Sequence, residues 1–188
     1  MPILIHKAKS YLDPILEKVP GDENMFLWWA NEGIGIHPFE YWGNAVLGRA
    51  MVAYYAGTQD PYVLEQVEKA YENATKFSGI GRTGVNAEVM LEASEWGADP
   101  VLREKVLQRA GFLEETIKDW GRMKIIPDHG VSYNEASKIP AVYYPYIGDT
   151  AYIRASMNRY DWAEAFIMQP FGVYQSDEHM KGTGAFRW

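Results

Sequence analysis

The chain has 188 residues, with 25 Asp and Glu against 18 Lys and Arg, and its net charge of −7 lacks the clustered cationic footprint that binding nucleic acid or an anionic membrane draws on. A neutral or cationic small molecule is the easier partner. Thirteen Tyr, seven Trp and seven Phe argue against disorder, and the absence of Cys excludes disulfides and thiolate metal sites from these residues. The length suits one domain that buries roughly 70% of its unfolded surface. Residues 1–11 hold no apolar run of signal-peptide length, and no stretch approaches the ~20 apolar residues of a membrane span. As written the sequence reads as soluble and cytoplasmic; a true N-terminus before Met1 would reopen a periplasmic or secreted location.

In chain order, Leu4, Ala8, Tyr11, Leu12, Ile15, Leu16 and Val19 recur at helical spacing and predict an amphipathic helix, bent or interrupted at Pro14. Pro20-Gly21-Asp22 ends it, and an aromatic and Gly-rich connection containing His37-Pro38 follows. From Tyr41 to Tyr55 only Asn44 and Arg49 are strongly polar, which predicts an inner helix covered on several sides. Gly57-Thr58-Gln59-Asp60-Pro61 predicts a sharp turn with Asp60 as cap and Pro61 at the first helical position. An outer helix follows, with Leu64, Val67, Tyr71 and Ala74 on one face and charge on the other.

The same pattern recurs. Gly84 to Trp96 is mostly apolar, Gly97-Ala98-Asp99-Pro100 repeats the turn, and Leu102, Val106, Ala110, Leu113, Ile117 and Trp120 stripe a second outer helix. A third round runs from about Ser132 to Ile147, turns at Gly148-Asp149-Thr150 and continues through Tyr152, Ile153, Met157, Tyr160, Ala163 and Phe166, with Pro140 and Pro145 expected to bend its inner helix or delay its start. A unit of about 40 to 50 residues made of inner helix, tight turn and outer helix predicts an all-α fold, a helical solenoid or an α/α toroid. Its longer connections share one rim, which brings together His37, Asp128, His129, Asp177, Glu178 and His179.

On that rim Glu178, beside Asp177 and His179, could act as a general acid if aromatic walls desolvate it; a solvated turn accounts equally for an isolated Asp-Glu-His. His129 could bond a ligand hydroxyl at the start of an inner helix or satisfy local packing with Tyr133. For His37, core packing weighs more than cleft lining. Among the aromatics, Trp28, Trp29 and Tyr174 lie in rim loops and could stack on sugar rings, whereas Tyr143 and Tyr144 fall at helical spacing and belong with a core. Gly79 to Gly84 does not meet the phosphate-loop pattern.

At His129-Gly130-Val131 and Ser176-Asp177-Glu178-His179, the sequence resembles the β-L-arabinofuranosidase-like glycoside hydrolases, glycoside hydrolase family 127 and its relatives. Lys138-Ile139-Pro140-Ala141-Val142-Tyr143-Tyr144 and Ile147-Gly148-Asp149-Thr150-Ala151-Tyr152 extend the likeness, which covers about 126–182. The resemblance implies an (α/α)6 toroid, with residues 1–188 forming one partial domain of about three hairpins and an N-terminal helix. It implies Glu178 as general acid/base and His129 as a substrate contact; His37, Asp177, His179, Tyr174 and Trp28, which the repeat reading puts on the rim, are the further substrate-binding candidates. In that family the nucleophile is a zinc-held cysteine thiolate whose ligands lie downstream of the Asp-Glu-His segment, so zinc is implied for the full-length enzyme and none for this chain. Ser132 stands where the family usually has Asn, with Asn134 close by.

The expected function is that of part of a catalytic domain acting on L-arabinofuranosides or related plant glycans, inactive alone, whose open faces favour self-association. Two alternatives stand beside it. One is a helical-repeat module that binds a glycan or protein without chemistry; the other is a different α/α-toroid enzyme, such as an unsaturated-uronide hydrolase, that works with carboxyl groups and no thiol.

Overall fold

A computed structural model describes residues 2–29, 40–75, 84–108, 117 and 130–166. Among the described residues there are seven α-helices and no strand: α1 (Pro2–Leu16), α2 (Glu40–Thr58), α3 (Pro61–Glu72), α4 (Val85–Trp96), α5 (Pro100–Gln108), α6 (Gly130–Ile147) and α7 (Thr150–Phe166). No helix among them is long and apolar enough to cross a membrane.

Three of the connections share one device. The residue before each capping Asp adopts a left-handed backbone: Gln59 at φ 55, Ala98 at φ 52 and Gly148 at φ 77. That conformation closes the preceding helix, since the N–H of Gln59 donates to Tyr55 O at 2.7 Å and that of Gly148 to Tyr144 O at 2.9 Å. At the second turn Asp99 N donates to Ser94 O (2.8 Å) and Ala98 N to Glu95 O (3.3 Å), the two-bond Schellman closure. The Asp then opens the next helix. Asp60 Oδ1 accepts from Tyr62 N (3.0 Å), Asp99 Oδ1 from Val101 N (2.9 Å) and Leu102 N (3.1 Å), and Asp149 Oδ1 from Ala151 N (2.8 Å). Each cap satisfies helix-end donors that have no partner within the helix, an effect of about 1 kcal/mol.

The helices on either side of each turn pack together, α2 on α3, α4 on α5 and α6 on α7. Across the pairs, α2 packs on α4, α4 on α6, and α3 on α4 and α5, while α1 lies against α2 and α3. One apolar core runs through these contacts from Leu16 and Phe26 through Met51, Tyr71, Met90 and Leu91 to Tyr152 and Ala155; a smaller cluster joins Tyr133, Trp162 and Ala163. At its centre α2 comes close to α3 and α4. A Cβ at the buried Gly48 would meet Tyr71 Oη and come within 2.9 Å of Val89 Cγ1.

The buried faces differ from the predicted stripes at both ends of the chain. In α1, Leu4 and Tyr11 are exposed (73% and 66%), while Ile5, Ala8, Leu12, Ile15 and Leu16 pack inward. Among the described helices α1 packs chiefly on α2 and α3, and one contiguous stripe is buried there while the alternative one faces solvent. The helix continues past Pro14, which is exposed.

In α7 the predicted apolar residues Met157 and Tyr160 are exposed (56% and 44%), whereas Ser156 and Arg159 are buried. The register is set by polar partners on α6. Arg159 lies over the Tyr133 ring at 4.0 Å and donates through Nε to Ser137 Oγ (2.9 Å), and Tyr133 Oη donates to Arg159 O (2.6 Å). Ser156 Oγ accepts the N–H of Ala141 (3.1 Å), the residue that follows Pro140. A proline ring inside a helix crowds the carbonyl one turn back, and this bond from α7 satisfies the adjacent N–H. With that support α6 runs unbroken through Pro140 and Pro145 from Gly130, rather than starting late.

The connection after α1 is tied down by Asn44, buried in α2. Its Oδ1 accepts from Phe26 N at 2.9 Å and its Nδ2 donates to Asn24 O at 3.1 Å, which seats Phe26 edge-on to Tyr71 with ring centroids 5.5 Å apart.

Candidate functional site

α2, α4 and α6 run parallel. Arg49 meets Glu88 and, further along both helices, Tyr55 meets Trp96. Lys138 likewise meets Glu88 and, further along, Tyr146 meets Glu95. Their N-terminal ends therefore lie opposite the three Asp-capped turns.

On the face these helices share, four charged side chains gather. Arg49 Nη2 and Lys138 Nζ both donate to Glu88 Oε2, at 2.8 Å and 2.6 Å. Glu135 Oε2 lies 3.8 Å from Arg49 Nη2 and 3.6 Å from Lys138 Nζ, within ion-pair range of both but with no hydrogen bond. The cluster is partly open, with side-chain exposures of 43% for Arg49, 34% for Glu88, 28% for Lys138 and 20% for Glu135. Burial alone would raise the Glu88 pKa, but the hydrogen bonds and charges of Arg49 and Lys138 together outweigh it and hold the carboxyl below its ordinary value.

Along α4 the acidic row continues. Glu92 is raised by burial and by the neighbouring Glu88 and Glu95 charges, so its proton is retained more readily. Tyr146 Oη donates to Glu95 Oε1 at 2.8 Å, and burial, then Glu95, pushes that phenol up to about 12. Tyr146 therefore serves this face as a hydrogen-bond donor.

Of the sequence-predicted site residues, the aromatics Trp28 and Trp29 fall within the described part. Both are half-buried, their rings stand edge-on with centroids 5.8 Å apart, and Lys18 Nζ lies 3.7 Å from the Trp28 ring centroid. The lysine covers one face of the Trp28 ring by a cation–π contact, so stacking on a sugar is left to the opposite face. Glu178, His129, His37, Asp177, His179 and Tyr174 lie outside the described residues. Tyr143 is fully buried, as its spacing predicts.

A concavity of about 430 Å³ lies between α3 and α5, lined by Glu68, Glu72, Asp99 and Lys105 among others. Lys105 Nζ is engaged by the carbonyls of Tyr71 (3.1 Å) and Glu72 (2.6 Å), which closes the C-terminal end of α3 and gives this cleft a structural role.

Comparison with known protein families, curated proteins and solved structures returned no match.

The residues present do not by themselves fit a zinc–thiolate centre: the chain has no Cys, and the described residues hold no group of three or more His, Asp or Glu placed to share a metal ion. Sequence reasoning missed the four-residue cluster. Its one signal was Arg49, a charge in a helix otherwise almost wholly apolar; its partners Glu88 and Lys138 lie 39 and 50 positions apart along the chain from Arg49 to Glu88 and from Glu88 to Lys138.

Proposed function

We propose that these residues form part of an (α/α)6-toroid catalytic domain of a glycoside hydrolase acting on L-arabinofuranosides or related plant glycans. The observation that supports the reading is the threefold recurrence of one unit, a helix pair closed by a left-handed residue and an Asp cap, with α2, α4 and α6 parallel side by side. In this reading α2, α4 and α6 form the inner row of the toroid, and the segments that lead into them form the sugar-binding rim.

Glu178 then donates a proton to the leaving oxygen, and His129 holds the sugar while Asp177 and His179 flank the acid. A carboxyl group held near another acid has its pKa raised, which is the property a proton donor needs in the first step. The nucleophile of the resembling family is contributed by residues other than these.

The test is hydrolysis of an aryl β-L-arabinofuranoside by the natural full-length protein that contains these residues, wild type against Glu178→Gln. Turnover that falls sharply in the variant supports the reading; a wild type without turnover, or a variant that matches it, overturns it. A helical module that binds sugar without chemistry is the second reading, favoured by the open charged face around Glu88. Absent turnover combined with saturable sugar binding would select it.

A further inference from the structure

The helical face carries a constellation that neither the acid assignment nor the core requires. We infer that Arg49, Glu88, Glu135 and Lys138 form a subsite for a neutral vicinal diol, a pair of adjacent hydroxyls on a sugar or related polyol, on the face shared by α2, α4 and α6.

The argument rests on unused hydrogen-bonding capacity. Both cations converge on a single oxygen, Glu88 Oε2, and Glu88 Oε1 accepts from no described residue. An Arg–carboxylate pair frequently forks, with two parallel bonds from the guanidinium to both carboxylate oxygens, and this one does not. Here Arg49 has further N–H groups that donate to no described residue, at 43% side-chain exposure, and the Glu135 carboxylate, 20% exposed, accepts no hydrogen bond from a described residue: its Oε2 is buried 3.6 Å and 3.8 Å from the two cations, which leaves Oε1 as the oxygen a ligand can reach. The cluster thus has donors to spare on one side and an acceptor short of a donor on the other.

The charges decide what can use that capacity. Two cations and two carboxylates sum to zero, so the four groups carry no excess charge that selects for an anion or a cation. A hydroxyl both donates and accepts, and an adjacent pair can take a proton donor from Arg49 or Lys138 while giving its own protons to Glu88 and Glu135. Charge-assisted bonds of this kind are the stronger ones, which lets a partly exposed site hold an uncharged ligand. The inference stands apart from the Glu178 assignment, because a face that only binds sugar would carry the same cluster.

The experiment uses the 188-residue chain and myo-inositol, a ring of vicinal hydroxyls with no glycosidic carbon, with methanol at equal hydroxyl concentration as comparison. The readout is the Nε–Hε NMR resonance of Arg49, assigned with Arg49→Lys. The expected result is a saturable shift with inositol and none with methanol, with affinity reduced about tenfold or more in Lys138→Met and in the near-isosteric Glu135→Gln, whose backbone spectra remain those of the wild type. An unmoved Arg49 resonance, a shift that methanol reproduces, or an affinity unchanged in both variants overturns it. Because inositol cannot be cleaved, these outcomes are independent of arabinofuranoside turnover.

Discussion

Replacing Gly48 with Ala should destabilise the fold even though it improves helix propensity. In an exposed helix interior that change gains about 1 kcal/mol. Gly48 is instead buried in α2 where the helix meets α3 and α4, and the added methyl would collide with Tyr71 Oη and stand 2.9 Å from Val89 Cγ1. Tyr71 is fully buried with no hydrogen-bond partner for its hydroxyl, so its ring has little room to retreat. Overpacking of this kind costs about 1–3 kcal/mol, which against the propensity gain of about 1 kcal/mol leaves a net loss of up to about 2 kcal/mol, or up to roughly 8 °C in Tm.

Tyr71→Phe is the companion change. It removes a buried hydroxyl that has no partner, and burial already pushes that phenol's pKa far up, so the single variant should be neutral or stabilising by about 1 kcal/mol. With the hydroxyl gone, the nearest Tyr71 atom to the new methyl is the ring Cζ at 3.5 Å, ordinary contact distance. The double variant should therefore recover part of the loss, with a coupling of about 1–2 kcal/mol read from urea midpoints in a four-member cycle; the Val89 contact keeps the recovery incomplete. A Gly48→Ala variant more stable than wild type, or a coupling near zero, would refute this account of the core.

The turn device, the ion cluster and Glu68 make three further predictions. Asp99→Ala should cost about 1 kcal/mol through the lost bonds to Val101 and Leu102, while Ala98→Gly should raise the urea midpoint and Gly148→Ala lower it, because Ala98 and Gly148 both occupy left-handed backbone that disfavours a Cβ. For pH, the Glu88 pKa is depressed in the fold, so its contribution is present above the ordinary value of 4.5 and is lost as pH falls through the folded value; Glu88→Gln should flatten the acid limb below about pH 4.5. The Glu68 carboxyl is raised by burial, then by Asp99 and Glu65, so its sign is opposite, and Glu68→Gln should gain stability relative to wild type as pH rises above 4.5. Urea midpoints across pH 3 to 8 measure both, and parallel curves for the two variants would contradict the assignments.

The periodic parts of the chain were legible because their causes are local. Asp60-Pro61 and Asp99-Pro100 announce a cap and a first helical turn in a few residues, and the structure starts α3 and α5 there. The left-handed Gln59 and Ala98 carried no such signal, since only at Gly148 does the sequence offer glycine. The buried face of α7 was misread because apolarity alone points to Met157 and Tyr160, whereas Ser156 and Arg159 are drawn inward by Ala141, Ser137 and Tyr133 of α6. A stripe argument has no way to weigh a partner on another helix. The Arg49–Glu88–Lys138 cluster was hidden for the same reason, being assembled from three helices by packing. Nor does the sequence show that Lys18 would cover one face of Trp28.

The most direct test of the functional claim is the dependence of Glu178→Gln on the leaving group, measured with the natural full-length protein. A general acid contributes roughly a hundred- to ten-thousand-fold when the departing oxygen needs a proton, and little when it leaves readily as an anion. The account predicts that Glu178→Gln loses that much kcat/KM on phenyl β-L-arabinofuranoside and far less on the 2,4-dinitrophenyl substrate. Equal losses on the two substrates, or none on either, would contradict Glu178 as the proton donor.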